Sequence, residues 1–119
     1  SNEIIVTKDI VELVNENQFV FLGRFDNVVN SGGIKLIPEQ IEDKLIGKIE
    51  PRFFVAGKPD EKLGEKLVLI VEGEPQTIDP SIFDVLDKYE KPKEILFVSK
   101  FKETDNGKII RKETLALVL

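Results

Sequence analysis

No cysteine and no histidine stand among the 119 residues of this chain. Their absence removes disulfides, thiol nucleophiles, His-based triads and zinc sites of the usual kind. Any chemistry must therefore rest on Lys, Arg, Asp, Glu, backbone groups or the residues of a partner. Methionine is missing as well, an initiator included, and the chain opens Ser1-Asn2-Glu3. Ser1-Asn2 reads as a cloning scar, so the expectation is a piece cut from a longer protein whose natural N-terminus is not this one. No apolar run approaches the roughly 20 residues that a membrane-spanning helix needs. No targeting segment is seen, and the expected location is the cytoplasm.

Acidic residues outnumber basic ones, 22 to 17, for a formal net charge of −5. That balance argues against non-specific binding to nucleic acid or anionic membrane. The basic, aromatic-interleaved face of a nucleic-acid reader is also missing. Small anionic ligands stay open, because they respond to local charge. A chain of this length fits one domain, which buries roughly 65% of its unfolded surface.

Residues 3–14 (EIIVTKDIVELV) and 18–22 (QFVFL) are β-rich runs parted by Asn15-Glu16-Asn17, which predicts a hairpin. Gly23 to Gly33 has glycines at both ends and no helical period, so structured loops are expected around Val28-Val29. Pro38 opens a helix, with Glu39 and Glu42 at its positive end and Ile37, Ile41, Leu45 and Ile46 on its apolar face. Those two glutamates read as serving the helix start and solubility, with no chemistry assigned.

Buried strands are expected at 52–57 and 67–72, joined by a charged connection. Asp79 can cap a helix starting at Pro80, with Ile82, Phe83, Val85, Leu86 and Tyr89 on one side. A strand at 95–98, a turn at 104–108 and a terminal helix from Arg111 to Leu119 complete the chain. Phe53, Phe54, Phe83 and Phe97 read as core. The class is α+β: a small mixed sheet with packed helices, preceded by an N-terminal β-hairpin.

Asn106-Gly107 marks a tight turn, since both residues can take positive φ. Lys108 follows at once, and Arg111 three residues later. Taken alone, this is a solvated turn with ordinary surface charges. Three ordered blocks change that reading. Residues 7–45 carry Thr7-Lys8-Asp9, Gly23-Arg24-Phe25-Asp26, Ser31-Gly32-Gly33 and Pro38-Glu39-Gln40-Ile41-Glu42. Residues 53–71 (FFVAGKPDEKLGEKLVLIV) place Gly-x-Pro-Asp and Gly-Glu between two strands. Residues 91–115 run from Lys91-Pro92 to Gly107-Lys108-x-x-Arg111. In order and spacing they resemble the C-terminal domain of the adenylate-forming enzymes, which include acyl-CoA synthetases, peptide-synthetase adenylation domains and luciferases. The local wording of residues 30–42 is most similar to the o-succinylbenzoate–CoA ligases of menaquinone biosynthesis.

The resemblance implies that residues 1–22 end a larger N-terminal domain and that 23–119 form a mobile lid upon it. It implies ATP and CoA as substrates, and Mg²⁺ held by the N-terminal domain rather than by this chain. Lys108 matches the adenylation lysine, whose ammonium meets the negative charge that builds on the phosphoryl oxygens. Asp9 matches the residue that binds the ribose hydroxyls, although Lys8 replaces the family's preceding Gly. Arg24 would contact the nucleotide, or else form a structural ion pair with Asp26 or Glu12. Asp26 falls at the hinge, where Asp tolerates more than one backbone basin. Ser31, Gly32 and Gly33 correspond to the CoA tunnel, where glycine permits close approach, or else form a plain turn. Arg111 either contacts ligand or supports the turn and terminal helix. The chain by itself is expected to be catalytically silent.

Overall fold

The computed structural model describes residues 2–119; Ser1, one half of the expected scar, lies outside the described residues. The opening run is not one arm of a hairpin. It breaks at Thr7-Lys8 into β1 (Glu3–Val6) and β2 (Asp9–Asn15), and β3 (Gln18–Arg24) completes an antiparallel three-stranded meander. Thr7 sits at φ 60, left-handed backbone that a β-branched residue takes only in a forced turn. Neither Thr nor Lys marks a turn strongly, so this one is masked by the β formers around it.

A 3-10 turn at Phe25–Asn27 leads into a five-stranded sheet. β4 (Val29–Ser31) and β5 (Ile34–Leu36) form a hairpin, and β6 (Phe53–Asp60) runs antiparallel to β7 (Gly64–Glu72). β8 (Glu94–Val98) joins the other edge of β7 in parallel. β6 and β7 extend through most of the expected charged connection. Asp60 closes that connection early, its carboxylate accepting the N–H groups of Lys62 (3.1 Å) and Leu63 (2.9 Å).

β7 explains the core. Each residue from Leu67 to Val71 is 2% exposed or less, because the strand is covered on both faces. Leu67, Leu69 and Val71 meet Val55, Leu86, and Ile41 and Leu45 of helix α1 (Pro38–Leu45). Val68 and Ile70 meet Phe54, Val98, Phe101 and Leu115 of helix α2 (Arg111–Ala116). Burying one such side chain contributes about 1.5–3 kcal/mol, so this short run ties both layers of helix to the sheet.

Pro38 opens α1 as its spacing predicts, yet Ile46 lies beyond the helix end and is exposed. The helix expected from Pro80 is a 3-10 turn, Pro80–Val85, with Asp79 accepting the Ser81 N–H at 2.9 Å. Asp87 and Glu90 then form a reciprocal cap around a second 3-10 turn, Lys88–Glu90. This second cap restarts the chain direction and leaves Val85 and Tyr89 exposed. α2 ends at Ala116, short of Leu119. Among the described residues no helix is long and apolar enough to cross a membrane.

Candidate active-site elements

The chain leaves the core at Phe101 and comes back at Ile110, whose N–H donates to the Lys102 carbonyl at 2.8 Å. Between them lies a small hairpin. The Gly107 N–H donates to the Thr104 carbonyl at 2.9 Å, so Asp105 and Asn106, not Asn106 and Gly107, are the central turn residues. Gly107 alone is left-handed, at φ 84. This is the three-residue arrangement of a turn followed by a left-handed residue. Thr104 locks it from within: its hydroxyl accepts the Lys108 N–H at 3.1 Å and donates to Asn106 Oδ1 at 2.7 Å. Lys108 stands exposed on the returning strand, and none of the ion pairs among the described residues involves it.

The root of the hairpin is rigid. Thr114 is buried, and its hydroxyl donates to the Ile110 carbonyl (2.9 Å) and accepts the Lys102 N–H (3.0 Å). Arg52 makes two bonds to Glu72 (2.9 and 2.7 Å) and reaches Glu103 at 2.9 Å on the outgoing strand. The Arg52 guanidinium, with the Phe101 N–H, holds the Glu72 carboxyl down to about 2.

Arg111 takes no part in the hairpin. It forks onto Glu42 at 2.6 and 2.5 Å and lies over the Phe54 ring at 5.3 Å. Burial works against its charge, but the Glu42 hydrogen bonds and charge more than offset this and raise its pKa. Glu42 also accepts the Val55 N–H at 3.0 Å. The expectation that Glu42 serves only helix start and solubility is thus corrected: it ties α1 to α2 and β6.

Asp9 and Arg24 are register partners across β2 and β3 and form an ion pair at 2.9 Å, both partly exposed. Register, not proximity in sequence, selects the partner, so neither Asp26 nor Glu12 pairs with Arg24. The Lys8 ammonium lies 3.5 Å from Asp26 instead. Lys8 stands where the resembled family carries Gly; the left-handed residue of this turn is Thr7.

Ser31-Gly32-Gly33 closes the β4–β5 hairpin. Gly32 (φ 57) and Gly33 (φ 83) are the two central residues, a turn that glycine alone adopts without strain. The Gly32 N–H donates to the Leu63 carbonyl at 2.8 Å. A cavity of about 170 Å³ opens beside this turn, between Gly32, Leu63, Tyr89 and Lys93. A cleft of about 580 Å³ separates the Asp26–Val28 turn from Arg111 and Lys112. No hydrogen bond among the described residues joins the Lys108 hairpin, the Asp9–Arg24 pair and the Gly32-Gly33 turn. Glu42, Glu72 and Glu103 are committed to guanidinium groups, and no three metal-ligating side chains cluster among the described residues. These residues do not fit a Mg²⁺ ion.

No protein-family model matches the chain. Curated relatives do. The 2-succinylbenzoate–CoA ligase of Lactococcus lactis is 32% identical over 111 residues, covering 90% of this chain and 24% of that protein. The 3-oxocholest-4-en-26-oate–CoA ligase of Rhodococcus rhodochrous is 33% identical over 109 residues, covering 84% of this chain and 19% of that protein. The chain thus spans a quarter or less of the length of these relatives. Among solved structures, an acyl-CoA synthetase (AMP-forming)/AMP-acid ligase II-like protein from Dyadobacter fermentans superposes with a TM-score of 0.74. It is 35% identical, and the likeness covers 95% of this chain and 35% of that one. The o-succinylbenzoate CoA synthetase of Bacillus subtilis, solved with its acyl-adenylate intermediate, gives 0.75 over 90% of this chain and 23% of that one. At 23% identity that likeness speaks to the fold alone.

Proposed function

Because the chain belongs to the AMP-forming acyl-CoA synthetases, we propose that it is the C-terminal lid of an ATP-dependent acid–CoA ligase. Residues 1–22 would end a larger N-terminal domain and 23–119 would form the lid, swinging about Asp26 with Gly23–Phe25 staying on the meander side of that pivot. In the first half-reaction a carboxylate oxygen attacks the α-phosphorus of ATP, and pyrophosphate leaves with the electron pair of the broken P–O bond. In the second, the CoA sulfur attacks the acyl carbon and AMP leaves.

The observation that carries this reading is the Lys108 hairpin. A free ammonium stands on a glycine-dependent tip whose root is fixed by Thr114 and by Arg52. Such a tip can deliver a cation to a cleft built elsewhere and stabilise charge on the phosphoryl oxygens. Asp9 and Arg24 would accept and donate to the nucleotide's ribose and phosphate, exchanging their mutual bond for ligand bonds. The Ser31-Gly32-Gly33 turn would line the passage of the CoA arm. The meander supports the idea of a larger N-terminal part: Ile4, Val6, Phe19 and Phe21 share one face and are each about half exposed. Isolated domains seldom leave such a face bare.

For the acid, o-succinylbenzoate is favoured by the likeness to the Lactococcus ligase, which would place the enzyme in menaquinone biosynthesis. The Rhodococcus relative, named for a different acid, supports a different acyl group as the second reading, in which the acid pocket would lie outside this chain. The test uses the full-length enzyme, wild type and Lys108→Ala, with ATP, CoA and either o-succinylbenzoate or a medium-chain fatty acid. Lys108→Ala should lower pyrophosphate release at least about 100-fold, roughly 2.7 kcal/mol. Unchanged release would reduce the hairpin to a turn and favour a non-catalytic interaction domain of the same fold. Activity on fatty acid alone would retain the ligase and remove the o-succinylbenzoate assignment.

A further inference from the structure

Glu39, the second residue of α1, reaches back across the chain. Its Oε2 accepts the Arg24 N–H at 2.9 Å and the Asn27 side-chain amide at 2.9 Å. Arg24 precedes the 3-10 turn that holds Asp26, and Asn27 is the last residue of that turn. Gln40, next on the helix, donates to the Leu22 carbonyl at 2.7 Å. The first turn of α1 therefore grips the chain on both sides of Asp26.

Two further features show that the grip is built. Glu39 Oε1 is buried and has no hydrogen-bond partner, a costly state for a carboxylate oxygen unless its other contacts repay it. A Cβ at Gly23 would sit 2.5 Å from that oxygen, so only glycine at 23 admits the carboxylate. Gly23 is buried in β3 and not left-handed, so what it supplies is space, for the Glu39 carboxylate and for Ile37 Cγ2, which the same Cβ would meet at 2.6 Å.

We propose that Glu39 is a positioning residue that clasps the Asp26 turn and favours one orientation of the lid. The inference rests on the ligase reading above, in which Asp26 is the pivot. Asn27 lies on the α1 side of that pivot and keeps its bond to Glu39 in any orientation. Arg24 belongs to β3 and moves with the meander, so the Arg24–Glu39 bond exists in one orientation only. Gln40–Leu22 crosses the pivot in the same sense. A bond present in one of two states shifts their populations by its own free energy. A charge-assisted bond is strong enough to shift them about tenfold or more. The Lys8–Asp26 pair is solvent-exposed, and such pairs contribute little.

The test has two readouts. In this chain, amide hydrogen exchange at Arg24 is followed in wild type, Glu39→Ala and Glu39→Gln, with the Leu69 amide of β7 as the marker of an intact fold. Glu39→Gln keeps the shape and loses the charge, and serves if the alanine variant does not fold. Exchange at Arg24 should rise at least about tenfold with Leu69 unchanged. In the full-length enzyme, pyrophosphate release without CoA and thioester formation from preformed acyl-adenylate are timed separately, beside Lys108→Ala. The ratio of the two rates should shift at least about tenfold. Unchanged Arg24 exchange overturns the clasp. Faster exchange with both half-reactions unchanged, or lowered together, overturns the positioning role while the ligase reading stands. If Lys108→Ala leaves pyrophosphate release intact, the ligase reading falls and the inference falls with it.

Discussion

Arg111 is held over the Phe54 ring by Glu42, and removing either partner strands the other at a half-buried site. Loss of Glu42 also leaves the Val55 N–H without its acceptor. Glu42→Ala and Arg111→Ala should each destabilise this chain by about 2–3 kcal/mol. A double-mutant cycle in urea should return a coupling of about 1.5–3 kcal/mol; additivity would mean that the pair does not cooperate. The Arg52–Glu72 pair makes a prediction in pH. Glu72 has a folded pKa lowered from 4.5 to about 2. Its contribution is therefore full above the unfolded value and is lost as pH falls from about 4.5 toward 2. Wild-type urea midpoints should drop across that window more than those of Glu72→Gln, which has no proton to take up. Equal drops would assign the acid sensitivity elsewhere. Neither pair was legible in the sequence, since Glu42 and Arg111 lie 69 positions apart and only the folded sheet brings them together.

At the scale of elements, legibility followed the strength of local signals. Pro38, the unbroken apolar run within 67–72 and the cap at Asp79 each located its element, because each acts within a few residues. The Thr7-Lys8 turn and the early close at Asp60 were hidden, since strand pairing forces one and a side-chain bond makes the other. The Asn106-Gly107 signal named the right turn but assigned it the wrong register. Thr104 shifts the turn by capturing the Lys108 N–H, which leaves only Gly107 left-handed. Gly107→Ala tests that register directly. Nothing lies within 4 Å of the added Cβ, so the cost is backbone strain alone, about 1–2 kcal/mol. Asn106→Ala, at an ordinary φ, loses only the exposed bond from the Thr104 hydroxyl and should cost about 0.5 kcal/mol, less than this. Equal costs, read from denaturant midpoints, would restore an Asn-Gly centre.

For the whole molecule, the sequence blocks carried the family and the sheet, while the candidate site stays divided among separate elements. Asp9 and Arg24 neutralise each other on the meander, Lys108 stands alone on its hairpin, and the glycine turn lies against Leu63. A nucleotide meeting this chain at these elements would find a partly exposed ion pair to break and the exposed ammonium of Lys108. No enclosing wall joins the two. Binding energy of that kind does not cover the loss of translational and rotational freedom on association. Calorimetry of ATP against these 119 residues should therefore give no saturable heat below about 1 mM, equivalent to −4.1 kcal/mol. On the proposed function a second domain would supply the wall, so the full-length enzyme should bind ATP measurably tighter. The same contrast bears on the bare apolar face of the meander. Phe19→Ser with Phe21→Ser should reduce self-association of this chain in sedimentation, because that face then has less to cover. Micromolar ATP binding by this chain would instead mean that Asp9, Arg24 and Lys108 can converge without a partner. The lid would then be a nucleotide-binding domain in its own right.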